Sequence, residues 1–206
     1  MWHPEVITKV VEQTLLALQR VSALTNFSLA GGTGLALHLG HRRSIDLDLF
    51  TIERIETEVI LGKLEKLTGL QISSRDLETL HVNIGDTKVS FLGYRHPILF
   101  PCQAFMDVEV FDSRDIGCMK IGAIAGRGAK RDFIDLCALS QHYKLGQILT
   151  WFREKYARAN YSMVHVMKSL TYFEESEQDP MPDMLIDLTW DDVKQFFIKE
   201  VPRLLP

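Results

Sequence analysis

Apolar and polar positions alternate along this chain in three regimes. Between residues 4 and 24, Val6, Ile7, Val10, Val11, Leu15, Leu18 and Val21 recur at helical spacing behind Pro4, a residue tolerated at the first position of a helix. The spacing predicts an amphipathic helix over 4–24. A short buried strand over 27–30 then runs into glycines. A helix over 33–39, a strand over 44–51 and an amphipathic helix over 56–67 follow. The middle of the chain reads as strands at 70–74, 79–84 and 88–94, the last two flanking a Gly85-Asp86 hairpin turn, with a further strand over 103–111. From 115 onward the period turns helical, over 115–126, 130–142, 145–156, 162–175 and 191–201. The acidic, proline-bearing stretch 174–182 reads as a loop. Strands first and helices afterwards predict an α/β (α+β) fold: a mixed sheet over about 1–112, followed by a helical region over 113–206 packed on it.

The strand over 44–51 departs from simple alternation. Asp46 and Asp48 interleave with Ile45, Leu47 and Leu49, so one face is apolar and the other carries two carboxylates side by side. Two hard oxygen ligands at that spacing suit Mg²⁺ or Mn²⁺, with substrate phosphates completing the shell. Just upstream, Gly31-Gly32-Thr33-Gly34 opens a helix. Glycines let the backbone approach an anion, and the helix N-terminus offers unpaired N–H groups with the positive end of the dipole. Gly31, Gly32 and Thr33 are therefore candidates to cradle phosphate, Thr33 either capping the helix or donating its hydroxyl to a phosphate oxygen. Arg42 and Ser44 flank the loop into the acidic strand; Arg42 could clamp phosphate bidentately or be a solvated loop charge. A phosphate cradle beside a divalent-metal site is equipment for nucleotide phosphoryl or nucleotidyl transfer. His38 and His41 have no third metal ligand nearby in sequence and read as surface or helix-terminal residues.

Two motifs resemble a known family. The run from Gly31-Gly32-Thr33 to His41-Arg42-Arg43-Ser44-Ile45-Asp46-Leu47-Asp48-Leu49-Phe50 resembles the first motif of the AbiEii/AbiGii toxin family, relatives of the polymerase-β-type nucleotidyltransferases. The run from Asp115 through Lys120 to Lys130-Arg131-Asp132-Phe133-Ile134-Asp135-Leu136 is similar to that family's lysine-centred helix and the acidic helix after it. The resemblance spans about 27–139. It implies a polymerase-β-type core and an NTP (ATP, GTP or CTP) as substrate. It implies Lys120 as an active-site cation and Asp135 as a functional acid that pairs with Lys120 or Arg127. It also implies an acceptor hydroxyl on RNA, such as a tRNA 3′ end, and a role as the toxin of a toxin–antitoxin or phage-defence pair with a cognate antitoxin. Many enzymes of that superfamily carry a third carboxylate on a later strand; here Ser90 occupies the corresponding place, with Asp107 or Glu109 as substitutes. Two other functions use the same residues: a nucleotide-binding module without turnover, and a phosphotransferase moving the γ-phosphate.

The remaining features narrow the picture. A net charge of −4 over 206 residues gives no global attraction to nucleic acid, so an RNA would be held locally, by Arg42, Arg43, Arg127, Lys130 and Arg131. Cys102, Cys118 and Cys137 have no metal-binding spacing and read as buried thiols. No apolar run reaches the length of a membrane span, and Met1-Trp2-His3-Pro4-Glu5 lacks a basic region leading into an apolar one, which points to the cytoplasm.

Overall fold

The computed structural model describes residues 1–204. Its chain opens with a 3₁₀ turn at Pro4–Val6 and continues in helix α1, Lys9–Arg20. The single helix expected over 4–24 is therefore broken at its start. Thr8 takes an extended conformation and its hydroxyl accepts from Val11 N, so a side-chain cap wins over continuation of the helix. Strand β1 (Ser28–Leu29) leads into helix α2 (Gly31–Leu39), which Gly40 ends in the left-handed region. Strand β2 (Leu47–Thr51) and helix α3 (Thr57–Leu64) follow. Next come β3 (Leu70–Asp76), β4 (Thr79–Ile84) and β5 (Thr87–Gly93), with Gly85 at φ +57° in the expected hairpin turn.

The single strand expected over 103–111 is instead a tight hairpin of β6 (Gln103–Phe105) and β7 (Val108–Val110). Met106 and Asp107 both adopt positive φ between them, the backbone a two-residue hairpin turn requires, without the glycine or asparagine that would have announced it.

The seven strands form one mixed sheet in the order β3-β4-β5-β2-β1-β7-β6. β2 runs parallel to β5 and antiparallel to β1, and β1 runs parallel to β7. The register aligns Asp48 with Ser90, and Ser90 with His81 on β4.

The second half is helical: α4 (Ser113–Arg127), α5 (Lys130–Leu139), α6 (Leu145–Lys155), α7 (Met163–Ser169), α8 (Glu174–Glu177) and α9 (Trp190–Glu200). The helix expected over 162–175 splits into α7 and α8, so the loop expected over 174–182 begins with a helical turn. Apolar burial falls into two clusters. One joins α1 and α3 to sheet residues such as Leu47, Leu49, Val89 and Phe91. The other joins α4, α5, α6 and α9 to Ala30, Leu35 and Phe111. Inside the second, Lys155 is fully buried on Asp115 at 2.5 Å and donates to the Pro97 carbonyl, so α6 is pinned to α4 by a paired charge. Burial pushes the Cys118 and Cys137 thiols up to about 12, which leaves them unreactive. No helix of the described residues is long and apolar enough to cross a membrane.

Candidate active site

The site forms where the N-terminus of α2, strands β2 and β5, and helices α4 and α5 meet around a cavity of about 700 Å³. No side chain caps α2 and no acid stands in its first turn, and Gly31 and Gly32 line the cavity at this N-terminus, where unpaired N–H groups suit an anion. Gly31 has φ +61°, and a Cβ there would overlap the Asp48 carboxylate. Only glycine allows the turn and the acid to lie this close. Gly31→Ala is expected to lower the melting temperature by several degrees and to weaken Mg²⁺–NTP binding, because it combines about 1–2 kcal/mol of backbone strain with displacement of Asp48. Thermal melts with and without Mg²⁺–NTP check both.

Asp46 and Asp48 both line the cavity, although the strand expected over 44–51 begins only at Leu47 and Asp46 stands just before it. Asp48 is largely buried, and burial raises its pKa; the neighbouring Asp46 charge adds to the rise and Lys120 opposes it. Two carboxylates side by side, one of them desolvated without a salt-bridge partner of its own, fit a divalent cation that takes the rest of its oxygens from substrate phosphates. Among the described residues no cluster of three or more His, Cys, Asp or Glu forms an all-protein metal cage.

Behind these acids lies a charge network that the sequence showed only in part. Lys120 of α4 is buried and bridges Asp132 (2.8 Å) and Asp135 (2.5 Å) of α5. Burial alone would lower its pKa; the two carboxylates reverse that and hold it above the ordinary lysine value. Lys120 also lines the cavity.

Asp135 lies behind the cavity wall. It accepts hydrogen bonds from His41 Nε2 (2.8 Å), Arg42 Nε (2.6 Å) and Arg42 Nη2 (2.9 Å), and Lys120 Nζ pairs with it at 2.5 Å. Such a carboxylate cannot touch substrate, so Asp135 acts by fixing Lys120 and the 41–44 loop. It does not pair with Arg127. That role belongs to Asp132, which faces the cavity and receives Arg127 Nε at 2.9 Å as well as Lys120.

Two nucleotide contacts expected from the sequence change with this geometry. The bidentate grip of Arg42 closes on Asp135 rather than on a phosphate, and its Nη1 donates to the Arg43 carbonyl. Thr33 is almost fully buried. Its hydroxyl donates to the Asp46 carbonyl and lies 2.8 Å from Ser44 Oγ, so it anchors the acidic strand from behind. Ser44 does line the cavity.

Other expectations are corrected as well. His41 is buried in the Asp135 network, not on the surface, and its Nδ1 has no partner among the described residues. His38, by contrast, is helix-terminal as expected: it sits in the last turn of α2, part-buried, and donates to the Phe111 carbonyl. Of the five basic residues expected to form one patch, Arg42 and Lys130 are buried. The Lys130 ammonium donates to the Glu177 and Asp179 carbonyls. Arg43, Arg127 and Arg131 remain half-exposed, Arg131 lying 3.7 Å from Asp46.

Neither Asp107 nor Glu109 substitutes for a third carboxylate. Asp107 sits in the β6–β7 turn, and Glu109 lies beside Ser28 on the far side of β1 from β2. Ser90 stands directly across from Asp48, and His81 Nδ1 lies 2.9 Å from Ser90 Oγ. His81 lines the cavity and went unnoticed in the sequence. The only signal was its polar place in the alternation of β4, which every half-buried strand shows.

No protein-family model matches the chain. It is 33% identical to an uncharacterized protein of Aquifex aeolicus (strain VF5), over 96% of this chain and 98% of that one. Among solved structures it is similar to MenT4, a nucleotidyltransferase toxin of Mycobacterium tuberculosis, with TM-score 0.54 and 17% identity over 91% of this chain and 83% of that one. It is also similar to ANT(2″)-Ia in complex with adenylyl-2″-tobramycin (TM-score 0.55, 14% identity, 73% of this chain and 99% of that one). A third likeness is to JHP933 of Helicobacter pylori (TM-score 0.53, 18% identity, 99% and 95% covered). The mixed sheet with its helices is thus a nucleotidyltransferase fold.

Proposed function

We propose that this chain, which belongs to one family with the uncharacterized Aquifex aeolicus protein, is a Mg²⁺-dependent nucleotidyltransferase that moves a nucleotidyl group from an NTP to an acceptor hydroxyl. The observation that carries the reading is the convergence in one cavity of Asp46, Asp48, the uncapped N-terminus of α2 and Lys120. Asp46 and Asp48 would hold the metal, which neutralises phosphate charge and polarises the α-phosphate when bound. The N–H groups of Gly31 and Gly32 bind phosphate oxygens. Lys120, kept charged by Asp132 and Asp135, stabilises the charge that gathers on pyrophosphate as it leaves. The opposite end of the cavity is aromatic, with Tyr94, Tyr156 and Tyr161, and suits a nucleobase.

RNA, such as a tRNA 3′ end, is the acceptor class proposed, and toxin of a toxin–antitoxin or phage-defence pair is the proposed biological role. Support comes from the resemblance of two motifs to those of AbiEii-type toxins and from the fold shared with a protein described as a nucleotidyltransferase toxin. The test is incubation with each NTP, Mg²⁺ and total tRNA. Pyrophosphate release together with an acceptor heavier by one nucleotide supports the reading. An acceptor heavier by one phosphate makes the protein a phosphotransferase. Nucleotide binding with no product makes it a binding module, the alternative that Ser90 opposite Asp48 favours.

Because Arg42 and Lys130 are buried, an RNA would be gripped through few cations. Arg43→Ala combined with Arg131→Ala is expected to weaken tRNA binding and to flatten its salt dependence by about 1.4 in logarithmic slope, the value for two lost phosphate contacts on single-stranded RNA. Filter binding between 50 and 200 mM salt, on the order of the range where such slopes are read, checks this. An unchanged slope removes those arginines from the acceptor path.

A further inference from the structure

Transfer to a hydroxyl requires a group that takes the hydroxyl proton, and the carboxylates of this cavity are otherwise engaged. Asp46 and Asp48 are the proposed metal-holding pair, Asp132 is bound by Lys120 and Arg127, and Asp135 lies behind the cavity wall, held by His41, Arg42 and Lys120. Ser90, across from Asp48, is a hydroxyl that keeps its own proton and cannot take up another at neutral pH. One strand further, at register with Ser90, stands His81. Asp48, Ser90 and His81 therefore form a row across three adjacent strands spaced roughly 4.8 Å apart, and all three face the cavity.

On this basis, and resting on the transferase reading above, we propose that His81 is the proton acceptor for the incoming hydroxyl. The role requires one tautomer, in which the Ser90 hydroxyl turns its single hydrogen toward Asp48, its partner across β2 and β5. Ser90 Oγ then accepts from Nδ1–H of His81, at 2.9 Å. That leaves the lone pair on Nε2, which makes no hydrogen bond to the described residues. In the step, the acceptor oxygen bonds to the α-phosphorus and the bond from that phosphorus to its bridging oxygen breaks. Pyrophosphate departs with the electron pair, and the hydroxyl proton passes to His81 Nε2 and from there to water.

The charged groups around the imidazole are Lys88, one position along the same face of β5, and Asp48 beyond Ser90; on β3 the residue opposite is the uncharged Ser74. His96 also lines the cavity, but it sits edge-on to Tyr94 and Tyr156 at the aromatic end, outside this row.

The experiment compares wild type with His81→Ala and His81→Gln, the second keeping a side-chain donor toward Ser90 without a usable base. Pyrophosphate release is measured with saturating NTP, Mg²⁺ and total tRNA, nucleotide affinity by titration calorimetry, and folding by thermal melts. The expected result is a fall in kcat of about 10²–10⁴-fold in both variants, with nucleotide affinity and melting temperature close to wild type. Added imidazole should partly restore His81→Ala. Turnover within threefold of wild type in His81→Ala overturns the role while leaving the transferase reading intact. So does joint loss of nucleotide binding and folding in both variants, which would make His81 structural. A wild-type protein that binds NTP but releases no pyrophosphate fails the transferase reading itself, and the role of His81 falls with it.

Discussion

Asp135→Asn should lower the melting temperature on the order of 10 °C and reduce turnover along with it. The wild-type carboxylate lies at zero exposure, receives three hydrogen bonds from His41 and Arg42, and is ion-paired with Lys120. Removing its charge leaves Arg42 buried with no anion and Lys120 with Asp132 alone. Breaking one side of a buried pair costs about 3–5 kcal/mol, because the remaining charge is desolvated and uncompensated. In a chain of this length each kcal/mol moves the midpoint by about 2–4 °C. The effect also has a pH signature. Burial by itself would raise the Asp135 pKa, but Lys120, Arg42 and the hydrogen bond from His41 hold it well below the usual carboxylate range. A depressed native pKa contributes stability that is complete above the unfolded value near about 4 and is lost as pH falls through the native value. The gap between wild type and Asp135→Asn should therefore be constant near neutrality and narrow in acid. Calorimetric melts from neutral to acid pH read this directly, and equal melting temperatures at pH 7 would refute the network as a structural pin. The same reasoning applies to Lys120→Met, which should lose both turnover and stability. A surface lysine would lose neither.

Asp48→Asn should behave in the opposite sense for stability while removing turnover. Burial of Asp48, with the charge of Asp46 beside it, raises its pKa despite Lys120. A raised native pKa means that protonation favours the folded form, so this group's contribution to stability declines as pH rises through that pKa. Asparagine removes the desolvated charge, and the nucleotide-free variant should melt no lower than wild type at pH 7 and with a flatter pH dependence. Chemistry should suffer severely. Loss of several kcal/mol of metal-based charge stabilisation corresponds to a rate decrease of about a thousandfold or more. Mg²⁺–NTP should raise the melting temperature of wild type and leave the variant unmoved. Full turnover in Asp48→Asn, or in Asp46→Asn, removes the metal assignment.

These opposite expectations for two aspartates trace to what each level of organisation specifies. The local part was legible in the sequence. A strand has a period of two, so Leu47-Asp48-Leu49 turns its acid away from its leucines, and Asp46, just before the strand, lines the same cavity as Asp48. Glycines at 31 and 32 before a helical run marked a helix start open to an anion, although the helix begins at Gly31 and takes in Thr33 instead of being capped by it. The mixed sheet and later helices likewise followed from the switch in apolar period, and the shared fold agrees with that reading. Where local signals were weak, the reading missed: Met106 and Asp107 make a hairpin turn without turn-forming residues, and Thr8 caps a helix whose apolar period had already begun. Partnership between distant residues was decided only by tertiary packing. His41 and Arg42 lie more than ninety positions from Asp135, and no spacing rule relates them. Asp132 and Asp135 are equivalent in sequence, one helical turn apart, yet only Asp132 faces the cavity. Ser90 and His81 come to stand beside Asp48 through strand register, which is fixed by which faces of β2, β4 and β5 are buried together. Spacing along the backbone determines which side chains share a face; which charges are buried against one another is decided when helices and sheet close around a common cavity, because only then does desolvation require each buried charge to find its partner.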